Sequence, residues 1–193
     1  MKVGIIVGST RPNRRAANVA RWVYERAQRR DTAEFEVVDI ADFGLPLLDE
    51  PKPPGAGEYT QPHTQRWAAK IATFDAFIFV TPEYNHGIPA ALKNALDFLY
   101  AEWNNKAAGF VGYGNTGGAR CVEQLRLVMG ELQIADVRSA VALSIFTDFN
   151  PAKEPRPAAF HEKTLAALLD ELIAWAGALK QLREAPAIRL ALD

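Results

Sequence analysis

Short apolar runs alternate with segments of helical periodicity along the whole of this chain. The runs over 3–7, 77–81 and 108–113 are apolar without a two-residue alternation, as strands covered on both faces are. Two further runs, 35–40 and 137–143, complete a set of five predicted strands. Between them, Val19, Trp22 and Val23 mark one face of a helix over 17–29, and Trp67 and Ile71 one over 64–74. A helix over 89–100 follows the third strand, and Val122, Leu125 and Val128 define another over 118–132. Leu165, Leu168, Leu169, Leu172, Ala176 and Leu179 form a sustained stripe on a last helix over about 157–182.

Alternating strands and helices predict an α/β protein with a doubly wound parallel sheet and right-handed crossovers. Five strands with helices on both faces match the flavodoxin-like order 2-1-3-4-5. In that order strands one, three and four are neighbours, and the loops leaving their carboxyl ends converge on one crevice. Two connections break the rhythm. Residues 49–57 form a Pro/Gly-rich loop predicted to be mobile and near the site entrance, and 147–157 form a second long connection. There is no internal repeat and no composition break, so 1–193 is read as one domain.

The three converging loops carry the chemistry. The first, Gly8-Ser9-Thr10-Arg11-Pro12-Asn13-Arg14-Arg15, has three arginines and no acid, and it runs into a helix. Helix-terminal amides, hydroxyl donors and guanidinium forks together suit a phosphate monoester. Capping alone would explain Ser9 and Thr10 but not three cations where the helix dipole already disfavours positive charge. The P-loop pattern is absent. The second loop, Thr81-Pro82-Glu83-Tyr84-Asn85-His86-Gly87-Ile88-Pro89, is bounded by prolines, and Gly87 is expected to supply a conformation closed to other residues. Tyr84 offers a flat face and Asn85 directed hydrogen bonds, as a planar ligand with a polar edge requires. The third loop contains Gly112, Gly114, Asn115, Gly117 and Gly118, of which Gly112, Gly114 and Gly117 spell G-x-G-x-x-G. A dinucleotide fingerprint belongs after the first strand, with an acid about 20 residues on. Here the motif follows the fourth, so these glycines are read as allowing backbone amides close to a ring. A phosphate loop, a ring loop and a glycine loop together outline a mononucleotide such as FMN.

Charge and cysteine content narrow the class. The net charge is −1 with both signs interspersed, which disfavours nucleic-acid and anionic-membrane partners. No apolar run approaches the roughly 20 residues of a membrane span. Residues 1–8 read as a strand, not a signal peptide, and a cytoplasmic location is expected. A single cysteine, Cys121, excludes an internal disulfide, and it is read as a packed, inert thiol. His63, His86 and His161 show no metal-ligand spacing.

These residues resemble the NADPH-dependent FMN reductase family of flavodoxin-like proteins, whose members include quinone, azo-dye and chromate reductases. The resemblance rests on Gly8–Pro12, on Pro82–Pro89 followed by Leu92-Lys93-Asn94-Ala95-Leu96-Asp97, and on Gly117-Gly118, and it spans about residues 1–140. It implies that Ser9, Thr10, Arg11, Arg14 and Arg15 serve the FMN phosphate, that Pro82, Glu83, Tyr84 and Asn85 hold the isoalloxazine, and that Gly114, Asn115, Gly117 and Gly118 cover its pyrimidine side. Many relatives carry a second serine where Arg14-Arg15-Ala16-Ala17-Asn18 stand here. The arginines therefore meet either the FMN phosphate or the 2′-phosphate of the nicotinamide cofactor.

The activity so implied is hydride transfer from NADPH, or NADH, to FMN and then to a small acceptor such as a quinone, azo compound or free flavin, in a ping-pong cycle. FMN carries the chemistry and no side-chain nucleophile is required. His86 is read as tying its loop to a backbone carbonyl, with proton donation to a substrate as the alternative. Glu83 is read as loop-bracing or solvated, and Tyr84 as stacking near the flavin or forming a surface contact. Trp22, Trp67 and Trp175 are assigned to core faces and Trp103 to an intersubunit contact. The family implies a homodimer or homotetramer. Two other readings are a flavodoxin-like electron carrier and a non-redox nucleotide-binding enzyme, for which Glu83 is the one evident nucleophile.

Overall fold

The computed structural model describes residues 1–185. Strands β1 (Lys2–Val7), β2 (Glu34–Asp39), β3 (Ala76–Pro82), β4 (Lys106–Gly114) and β5 (Ile134–Ser144) form one parallel sheet in the order β2-β1-β3-β4-β5. Helices α1 (Ala16–Ala27), α2 (Pro62–Ala72), α3 (Ala90–Asp97), α4 (Ala119–Glu131) and α5 (Ala159–Glu184) connect the strands and flank the last. This is the flavodoxin-like arrangement expected from the pattern.

The uniformly apolar strands divide their side chains between two cores. Val3, Ile5 and Val7 of β1 join Val19, Val23, Val111, Val141, Leu168 and Leu172 beneath α1 and α5. Ile6 joins Trp67, Phe77, Phe79, Phe110, Leu125 and Met129 beneath α2, α3 and α4. Every residue of β3 and β4 is buried. Alternation is present in direction, but both directions are apolar, which is why the sequence shows none.

Four sequence-based expectations are revised. Helix α3 ends at Asp97 and not near 100, because tighter turns follow, with Leu99 N donating to Leu96 O and Trp103 N to Tyr100 O. Trp103 is not an intersubunit anchor: it is fully buried against Trp67, Phe77 and Phe79, and its indole N–H donates to Leu96 O at 3.2 Å. Trp175 is half exposed, on the outer side of α5. The 49–57 loop does not line the cavity at the carboxyl ends of β1, β3 and β4; it is stitched locally, with Glu50 accepting from the amides of Thr60 and Gln61 at 2.9 and 3.0 Å. Burial would raise the Glu50 pKa, but the Thr60 and Gln61 hydrogen bonds outweigh it and hold the carboxyl at about 2.

Candidate functional site

A cavity of about 790 Å³ opens at the carboxyl ends of β1, β3 and β4. This volume lies within the roughly 300–1,000 Å³ of small-molecule and cofactor sites. The position is the switch point of the sheet, where crossovers leave on opposite faces and the strand ends part.

The first loop is fixed at its base by Gly8 N donating to Val80 O of β3 at 2.8 Å. Ser9, 1% exposed, does not cap α1: its hydroxyl sits 3.0 Å from the Tyr84 hydroxyl and receives the Arg11 amide at 3.4 Å. Arg15 occupies the N-cap of α1 with no side-chain cap bond; the Ala16 amide meets the buried Tyr113 hydroxyl, and the amides of Ala17 and Asn18 in the same first turn are left open. Arg11, Asn13, Arg14 and Arg15 line the cavity, whereas exposed Thr10 lies outside it. Arg14 pairs with Asp39 at the end of β2, and the Arg15 guanidinium lies 5.2 Å over the Phe149 ring. The Nε atoms of Arg14 and Arg15 are nevertheless buried without a hydrogen-bond partner.

The second loop is a tight turn. Tyr84 and Gly87 exchange backbone hydrogen bonds of 3.2 and 2.9 Å across Asn85 and His86. The positive φ angles belong to Asn85 (49°) and His86 (65°), not to Gly87, which corrects the role expected of that glycine. Two left-handed residues between mutually bonded ends make a hairpin-type turn, and asparagine tolerates that conformation well. His86 is exposed, and it is its carbonyl, not its ring, that ties the loop, by accepting from Gln124 Nε2 at 2.9 Å. Pro82, Glu83, Tyr84, Asn85 and His86 all line the cavity. The Glu83 carboxylate is 6% exposed; Oε1 meets Arg120 Nη1 at 2.9 Å and Oε2 accepts the Arg120 amide at 3.0 Å. With both oxygens engaged, Glu83 braces the loop against α4 and is not presented as a nucleophile.

In the third loop only Gly114 and Asn115, with Tyr113, line the cavity. Gly117 (φ 69°) and Gly118 (φ 77°) instead fold the chain on itself: a Cβ on Gly117 would lie 2.7 Å from Ala142 Cβ, and one on Gly118 2.7 Å from the Tyr113 amide. Cys121 is buried with its sulfur 3.3 Å from Thr81 Oγ1, and burial pushes its pKa to about 11. It is a neutral thiol at physiological pH.

Three lining residues lie outside the three loops: Arg120, Ile145 and Lys153. Lys153 and the Phe149 beneath Arg15 come from the long 147–157 connection, which folds back onto the first loop. Their only sequence signal was the length of that connection. The lining thus carries Arg11, Arg14, Arg15, Arg120 and Lys153 against the single acid Glu83. Asp39 and Glu83 engage Arg14 and Arg120, and among the described residues no carboxylate pairs with Arg11, Arg15 or Lys153. Excess positive charge, unpartnered buried guanidinium N–H groups and open helix amides at one end, with Pro82, Tyr84 and Ile145 at the walls, fit a flat ligand bearing a phosphate.

Residues 1–148 match the NADPH-dependent FMN reductase family. The chain is 45% identical over 149 residues to an NAD(P)H-dependent FMN reductase of Schizosaccharomyces pombe, covering 76% of this chain and 74% of that one. It is 30% identical over 186 residues to a quinone reductase of Pseudomonas putida, covering 90% and 93%. Among solved structures, FerB, a flavoenzyme NAD(P)H:(acceptor) oxidoreductase of Paracoccus denitrificans, superposes with a TM-score of 0.72 at 22% identity, over 92% of this chain and 97% of that one. The strand order, the crevice at the switch point and these similarities agree: the chain belongs to the NADPH-dependent FMN reductase family of flavin oxidoreductases.

Proposed function

We propose that the protein binds FMN in the 790 Å³ cavity and uses it to pass electrons from NAD(P)H to a small planar acceptor, such as a quinone, azo compound or free flavin, in a ping-pong cycle. The observation that carries this reading is the asymmetry of the cavity, cationic at the first loop and lined at the second by Pro82, Tyr84, Asn85 and His86 with its one carboxylate, Glu83, neutralised by Arg120. When bound, FMN supplies the redox chemistry, accepting a hydride from the nicotinamide and yielding two electrons to the acceptor. The residues of this chain bind and orient. Arg11, Arg15 and the open amides of α1 would hold the phosphate, with Arg14 contributing its unpartnered Nε while Asp39 fixes its far end. Pro82, Tyr84, Asn85, Gly114 and Asn115 would hold the ring, and the Glu83–Arg120 pair keeps their two loops in register. Tyr113 stays protonated, because burial and the neighbouring Tyr84 raise its pKa.

FMN-loaded protein, mixed without oxygen with NADPH and NADH in turn, should lose its yellow absorbance and regain it on addition of a quinone. Initial rates with both substrates varied should give parallel double-reciprocal lines. Failure of both nucleotides to bleach the flavin would overturn the reading, and intersecting lines would overturn the ping-pong order.

A further inference from the structure

We propose that Lys153, on the loop joining β5 to α5, is a phosphate-binding residue whose ammonium closes the cationic end of the cavity over a phosphate monoester. It lies beyond residues 1–148, the part of the chain that matches the family, so none of the recognised loops contains it.

Its placement is enforced. Lys153 has a positive φ of 63°, a conformation that non-glycine residues keep only where their surroundings hold it. Its carbonyl accepts from Asn18 Nδ2 at 3.2 Å, its amide donates to Asn150 O at 2.9 Å, and Phe149 anchors the loop beneath Arg15. So held, the ammonium faces the cavity and donates to Asn13 O of the first loop at 3.2 Å. One carbonyl occupies one of its three donors. The next residue, Glu154, is turned away, accepting from Asn150 Nδ2 at 2.8 Å. Lys153, Arg11 and Arg15 thus gather at one end of the cavity with no carboxylate among the described residues to neutralise them, and the buried Arg15 Nε there lacks an acceptor. Like charges held together by the fold repel unless an anion joins them, and a phosphate monoester supplies both the charge and the acceptor oxygens.

This inference rests on the proposed function, in which two molecules bring such a group: FMN its 5′-phosphate and NADPH its 2′-phosphate. The test is titration of apo-protein with FMN and with riboflavin, followed by flavin fluorescence, for wild type, Lys153→Asn and Lys153→Arg. Asparagine tolerates the left-handed backbone, so the loop is retained. Lys153→Asn should weaken FMN binding about tenfold and leave riboflavin unchanged, as loss of a charged hydrogen bond predicts. Lys153→Arg should stay within about twofold of wild type, since the cation is kept. If FMN affinity holds but the Michaelis constant for NADPH rises while that for NADH does not, the assignment stands with the nicotinamide cofactor as the source of the phosphate. Unchanged affinity for every phosphate-bearing ligand, or equal weakening of FMN and riboflavin, would overturn it. Wild-type protein that binds neither flavin would instead sink the functional reading beneath it.

Discussion

Arg120 engages both oxygens of the Glu83 carboxylate, one through its side chain and one through its backbone amide near the start of α4. A carboxylate at a helix N-terminus satisfies an orphan donor and meets the positive end of the dipole, and here it is supplied by a loop 37 residues away. Removing it leaves the Arg120 amide without its acceptor and takes away one tie between the ring-facing loop and α4, that of Gln124 to His86 O remaining, while the guanidinium, 39% exposed, returns to water. Glu83→Ala should therefore lower the unfolding free energy by about 1–2 kcal/mol, a fall of roughly 2–8 °C in midpoint for a chain of this size. Glu83→Gln keeps an acceptor for the Arg120 amide and should lose about half as much. Thermal unfolding of the two variants checks this, and an alanine variant as stable as wild type would contradict the bracing role. The sequence made Glu83 visible and Arg120 invisible, since nothing local to either residue announces a partner so far along the chain. Asp39 hid its pairing with Arg14 in the same way, and the loop that looked free of acids receives one from the end of β2.

At the scale of elements, periodicity was legible to within a few residues because each helix buries one stripe and each strand a whole run. Less legible was what loop residues do, since turn geometry depends on which backbone group lies opposite. The G-x-G-x-x-G after β4 shows the difference. Gly112 and Gly117, like Gly118 just after the motif, face their own chain, with a Cβ on Gly112 falling 2.7 Å from Gly117 O, and only Gly114 of its three glycines reaches the cavity wall. The motif here builds a turn. Gly118→Ala combines a positive φ with a clash against fixed backbone and should destabilise by about 2–4 kcal/mol. Gly177, in the interior of α5, has nothing within 4 Å of its would-be Cβ. Gly177→Ala should stabilise by about 0.5–1 kcal/mol. Urea titrations of the two variants should move the midpoint in opposite directions; a Gly118→Ala midpoint at or above that of wild type would show that the turn is not what constrains Gly118, and a Gly177→Ala midpoint below it would show that the helix has no room for the methyl.

Across the whole molecule, the sheet has a cationic ligand end and, opposite it, an end where charge is held inside the fold. Lys106 opens β4 there, 5% exposed, its ammonium donating to Ile71 O at 3.0 Å and lying 5.4 Å from the Phe77 ring centroid. Burial, aided by the Arg183 guanidinium, lowers its pKa from 10.5 to about 8 despite Asp75 and Glu102. Below pH 8 the lysine is protonated in both states, and folding bears the full burden of burying the charge. Between pH 8 and 10.5 the folded chain has lost the proton that the unfolded chain keeps, so this burden shrinks as pH rises and vanishes above 10.5. Cys121 acts in the opposite sense: its folded pKa of about 11 exceeds the unfolded 9.0, so its contribution to stability falls from pH 9 to 11. The two slopes oppose each other in wild type, and only a comparison isolates the lysine. Lys106→Met keeps the volume, removes the charge, and leaves Cys121 to cancel in the difference. It should be more stable than wild type at pH 7 by roughly 2–3 kcal/mol, less the lost bond to Ile71. That advantage should decline steadily from pH 8 and disappear near 10.5, as read by urea denaturation at each pH. A difference that stays constant over the range would mean that the ammonium is not penalised by its burial.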